Sequence, residues 1–85
     1  MTLRELRKRA HRTQQEIGNA VNVSQGAVSH WEIGDFPPLR KYRKLLCSAL
    51  DCTPQELEDA INETVIERNA YGRRNQDHRN GRDRL

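Results

Sequence analysis

An all-α fold built from five helices is what these 85 residues predict, and three observations carry the prediction. The tetrad Thr-x-x-Glu occurs at Thr2 to Glu5, Thr13 to Glu16 and Thr53 to Glu56. In this pattern the Thr and Glu side chains each accept the other residue's backbone N–H at a helix start. Apolar residues recur at three- and four-residue steps through the first two thirds of the chain, the period of a helix face rather than of a strand. From Ile17 to Trp31, fifteen consecutive positions carry no Asp, Glu, Lys or Arg in a chain that is 32% charged. Burial or a surface selected for polar contacts must suppress charge there.

The first helix is predicted over about Thr2 to Ala10, with Leu3, Leu6 and Ala10 on one face. The second, about Gln14 to Val21, sets Ile17 and Val21 four apart with small Gly18 and Ala20 beside them. Asn22 tolerates the left-handed conformation better than most residues, so Asn22-Val23-Ser24 reads as a tight turn that Ser24 closes by capping a third helix. That helix runs about Gln25 to Ile33 and stops at Gly34, a common C′ residue. Pro37-Pro38 begins a fourth, its buried stripe marked by Leu39, Tyr42, Leu46, Ala49 and Leu50 with Leu45 and Cys47 flanking. The fifth starts at Pro54, which loses no hydrogen bond at a first helical position, and runs to about Glu67 with Leu57, Ile61 and Val65 in line. The remainder, RNAYGRRNQDHRNGRDRL, has no apolar periodicity and is expected to be a basic, disordered tail. The expected organisation is a helical domain over 1–67 and a tail over 68–85.

Charge falls in blocks. The net charge is +3, distributed as +4 over residues 1–12, −3 over 13–36, +4 over 37–50, −6 over 51–67 and +4 over 68–85. Such alternation suits a protein that meets a polyanion on one side and water on the other. Cys47 and Cys52 stand alone, without a second pair or a nearby His at ligand spacing, so no metal, cofactor or disulfide scaffold is expected. No apolar run approaches 18 residues and no export signal is present, which points to the cytoplasm and away from membranes. The three His lie on separate segments, and neither paired carboxylates nor a glycine-rich phosphate loop occurs. Catalysis is not expected.

On a helical wheel the third helix divides cleanly. Gln25, Ser29, Gly26 and His30 share one side; Ala27, Trp31 and Val28 share the other and are expected in the core, Trp31 included. The wet side is polar but uncharged, as a base-reading surface requires, because Gln, Ser and His offer directed donors and acceptors whereas a carboxylate is repelled by phosphates.

The run TQQEIGNAVNVSQGAVSHWEIG, Thr13 to Gly34, resembles the helix-turn-helix of the Cro and lambda-repressor family, also called Xre-type. The likeness rests on Gln14 opening the first motif helix, Gly18 at the helix crossing, the turn at Asn22 followed by Val23, core residues Val28 and Trp31, and the Trp-Glu-x-Gly ending. It extends over roughly Leu3 to Ile61 and includes Cys-Thr-Pro-x-Glu-Leu at the fifth helix. Ile33, where the family often has Asn or Lys, and Asp35 depart from its pattern.

The resemblance implies that Gln25, Gly26, Ser29 and His30 face base edges in the major groove of double-stranded DNA. It implies phosphate contacts from Gln14 with the second helix's N-terminus, from Ser24, and from Arg40 and Lys41. A Cro-like transcription repressor, homodimeric on a pseudo-palindromic operator, is the expected function, with Ile61, Val65 and Ile66 as the expected dimer surface. The alternative is an antitoxin or adaptor that uses the same fold to hold a protein partner, with a disordered tail that folds on that partner.

Overall fold

The computed structural model describes the backbone of residues 1–83 and the side chains of residues 1–69. Its helices are α1 (Leu3–Arg9), α2 (Gln14–Val21), α3 (Gln25–Ile33), α4 (Arg40–Leu50) and α5 (Pro54–Asp83). All three Thr-x-x-Glu tetrads close into reciprocal caps. The Glu carboxylates accept from the N–H of Thr2, Thr13 and Thr53 at 2.7, 2.8 and 2.9 Å. The Thr hydroxyls accept in return from Glu5, Glu16 and Glu56 at 3.3, 3.1 and 3.0 Å. Ser24 caps α3 by accepting from the N–H of Ala27 at 3.2 Å.

The first four helices end alike. The residue after each is left-handed or precedes one that is: His11 (φ 58°), Asn22 (φ 67°), Gly34 (φ 82°) and Asp51 (φ 51°). Beyond each, an N–H reaches back five residues to a carbonyl, from Arg12 to Arg7, Val23 to Gly18, Asp35 to His30 and Cys52 to Cys47. Carbonyls left open by the last turn are thereby satisfied and the chain reverses.

α4 starts at Arg40 rather than at Pro37. The ring of Pro38 drives Pro37 out of the helical region, and Leu39 is an extended N-cap (φ −62°, ψ 151°) that makes no side-chain cap. Leu39 is consequently 61% exposed instead of buried. α5 does not end at Glu67, because its backbone stays helical through Arg68 to Asp83. Arg68 lies beside Gly34, where an added Cβ would fall 2.7 Å from the Arg68 Cβ, and it pairs with Asp35. Those contacts tie this turn of α5 to the loop after α3. The side chains of residues 70–85, on which the expected tail disorder chiefly bears, lie outside the described residues.

The core draws Leu3 and Leu6 from α1, Ile17 and Val21 from α2, Val28 and Trp31 from α3, Leu46, Ala49 and Leu50 from α4, and Leu57, Ala60 and Ile61 from α5. Burying a side chain of Leu or Ile size contributes about 1.5 to 3 kcal/mol. Tyr42 is half-buried with its ring tilted against Trp31, centroids 5.8 Å apart. Buried Thr64 joins the two ends of the fold: its Oγ1 accepts from the N–H of Leu3 at 3.0 Å and donates to the carbonyl of Ala60 at 2.7 Å. An N–H that α1 cannot satisfy internally finds its partner on α5.

Candidate nucleic-acid interface

α2, the turn at Asn22 and α3 form one rigid angle. A Cβ added to Gly18 would sit 2.8 Å from the carbonyl oxygen of Val23, so glycine alone lets the turn close over α2 without a backbone shift. Val28 and Trp31 anchor the inner side of α3, at 2% and 5% exposure. Gln25, Gly26 and His30 are exposed on the opposite side, while Ser29 is half-buried. Ile33 continues that side with its apolar group 48% exposed.

A polar network beneath this face fixes its N-terminal end. Glu32 receives Arg7 through both oxygens, Nε to Oε2 at 2.5 Å and Nη2 to Oε1 at 3.2 Å. The Gln14 amide also donates to Oε1 at 3.0 Å, and its own oxygen lies 3.5 Å from Nε2 of Gln25. Arg7 and Glu32 keep only 14% and 6% of their side-chain surface exposed. A two-pronged Arg–carboxylate contact is directional as well as strong, so it aligns Gln14 and, through it, Gln25. Gln14 is therefore half-buried and committed to Glu32. What α2 can offer an anion is the backbone N–H groups of Gln14 and Gln15, since the capping box satisfies those of Thr13 and Glu16.

Cations stand on the flank. Arg40 and Lys41 are exposed at the start of α4, whose N-cap Leu39 leaves the first N–H groups without a side-chain partner. Among the described residues neither forms an ion pair, and Lys41 Nζ rests 5.1 Å from the centre of the Tyr42 ring. The positive end of the helix dipole and these two cations thus favour an anion at the same place. Ser24, with its hydroxyl engaged in capping, is exposed beside the first turn of α3.

The helix-turn-helix family model matches residues 3–57, well over half the chain. The chain belongs to the Cro/C1-type helix-turn-helix family. No curated protein and no solved structure matches it significantly. The family is one of DNA-binding domains, and the α2–turn–α3 unit of this member, Gln14 to Ile33, lies wholly inside the matched segment.

Three features of this family member were not foreseen from its sequence. Glu32 and Arg7 form the supporting pair; the signal was present, since Glu32 falls on the wheel beside Val28 and so beside the core. Asp35 and Phe36 hold His30, with Oδ2 of Asp35 at 2.7 Å from Nδ1 and the Phe36 ring stacked at 5.5 Å. That contact follows the reversal at Gly34 and carries no periodic signal. Ile61 is 5% exposed and belongs to the core, so it is not available as a dimer surface; Val65 and Ile66, at 37% and 68%, are. Among the described residues no group of three or more metal-ligating side chains occurs, and no helix is long and apolar enough to cross a membrane.

Proposed function

We propose that this helix-turn-helix protein is a sequence-specific, Cro-like transcription repressor that reads the major groove with α3. The observation that carries the reading is the exposed, uncharged face of Gln25, Gly26 and His30, set on a rigid core and flanked by Arg40 and Lys41, which form no ion pair among the described residues. In this division the neutral groups select sequence and the cations supply the salt-dependent grip. Two copies acting on a pseudo-palindrome place their α3 helices about one helical turn apart, with Val65 and Ile66 as the apolar contact between them.

Selection of binding sites from a random duplex library tests the proposal. A symmetric motif with half-sites about 10 base pairs apart is the expected result; a library that enriches no motif contradicts it. A second reading, as an antitoxin or adaptor, is favoured by the 68% exposure of Ile66 on the outer side of a helix that runs on to Asp83. It predicts that Ile66→Asp abolishes capture of a protein partner while leaving monomeric DNA binding intact.

A further inference from the structure

Asp35 stands between donors from two different elements. Its Oδ2 lies 2.7 Å from Nδ1 of His30 on α3, and its Oδ1 lies 3.0 Å from Nη2 of Arg68 on α5. Arg68 reaches this place because Gly34 has no side chain; a Cβ there would lie 2.7 Å from the Arg68 Cβ. Phe36 covers one face of the imidazole, with the two rings inclined by 20°. His30 is thus held at one nitrogen and one face, and its Nε2 edge remains for a ligand.

A carboxylate oxygen accepts hydrogen bonds and does not donate them, so the ring nitrogen facing it carries the proton. We infer that Arg68 and Asp35 are positioning residues that keep a proton on His30 Nδ1, so that the ring in its neutral form presents Nε2 as an acceptor and selects a base bearing an exocyclic amine. The inference rests on the proposed base-reading role of His30. In the major groove adenine N6 and cytosine N4 donate, whereas guanine N7 and O6 and thymine O4 only accept. The opposite tautomer would make the opposite choice. The same arrangement accounts for an acid in a loop beside the reading helix: the Arg68 guanidinium offsets a charge that phosphates would otherwise repel.

Nitrogen-15 spectra of the His30 ring in the full chain, recorded where the ring is neutral, report the tautomer without DNA. The proton is expected on Nδ1, and Asp35→Ala is expected to lower the Nδ1–H to Nε2–H ratio about fivefold or more. Arg68→Ala should lower it less, with Arg68→Lys restoring part of the loss. A wild-type ring protonated on Nε2, or a ratio that Asp35→Ala leaves unchanged, overturns the inference. Site selection with wild type and His30→Ala then tests the consequence. The wild type should prefer adenine or cytosine about tenfold at one symmetric position where His30→Ala has no preference. A preference for guanine or thymine there overturns the inference with base reading intact, and unchanged preferences in His30→Ala overturn the base-reading role itself.

Discussion

Glu32 anchors the interface at the level of single side chains. Its carboxylate binds Arg7 and Gln14, and Gln14 in turn meets Gln25. Glu32→Ala leaves the Arg7 guanidinium without its partner in a largely closed site, and is expected to cost about 3 to 5 kcal/mol in urea unfolding. A loss below about 1 kcal/mol would show the pair to be no more than an ordinary surface contact. Residues on the α3 wheel were legible because a helix repeats: Trp31 and Val28 fall inward, Gln25 and Gly26 outward. Ile61 was legible as well, since it stands four residues after Leu57 on the line that spacing marks, and its assignment to a dimer surface ran against that line. Leu39 was not, because it lies outside its helix. Cys52 shows a further effect of position: burial, and then the neighbouring Cys47 thiol, push its pKa up to about 11. Such a thiol is protonated at neutral pH and should react slowly with an alkylating reagent.

Helix starts marked by a side-chain cap were easy to read, whereas the uncapped start of α4 was not. The Thr-x-x-Glu tetrads announce α1, α2 and α5 because their hydrogen bonds form between residues three apart. They also make stability depend on pH. The carboxyls of Glu5, Glu16 and Glu56 lie below the usual range, in each case chiefly because a backbone N–H, of Thr2, Thr13 or Thr53, bonds the ionised form. A carboxyl more acidic folded than unfolded stabilises the fold above its unfolded pKa, about 4.3 for Glu, and the contribution disappears as pH falls through the folded value. Melting temperature should therefore begin to drop below about pH 4.5, with a shallower drop in Glu16→Gln; equal slopes for the two proteins would remove this explanation.

The ends follow a rule that residue identity only half reveals. Asn22 and Gly34 signal their left-handed turns, but His11 and Asp51 adopt the same conformation because the five-residue reach-back bonds demand it. Asp51→Gly relieves that strain and is expected to raise stability by up to about 1 kcal/mol, offset in part by greater freedom when unfolded. Gly26 differs from Gly18, since a Cβ there meets nothing closer than Ser24 Oγ at 3.7 Å. Gly26→Ala should hold or slightly raise the melting temperature by improving helix propensity. Loss of DNA affinity in that variant would then report close approach by DNA, not damage to the fold.

For the whole molecule, the blocks of charge and the five-helix architecture were readable because each comes from local sequence. What ties α5 to the rest of the fold was not. Thr64 meeting Leu3, and Arg68 meeting Asp35, join residues distant in sequence, and an isolated Thr or Arg carries no periodic mark. On the proposed function, the cations at the start of α4 act on DNA as a field. Lys41→Ala is expected to weaken cognate and random duplex alike and to reduce the salt slope by about 1.

On the proposed function, neutral side chains on α3 choose the sequence. Equilibrium binding of wild type and Gln25→Ala, each titrated against a selected site and a random duplex at one fixed salt concentration, tests it most directly. Gln25→Ala should lose about 1 to 3 kcal/mol on the selected site and almost nothing on the random duplex. Equal losses on both would show that Gln25 grips the backbone and does not read bases.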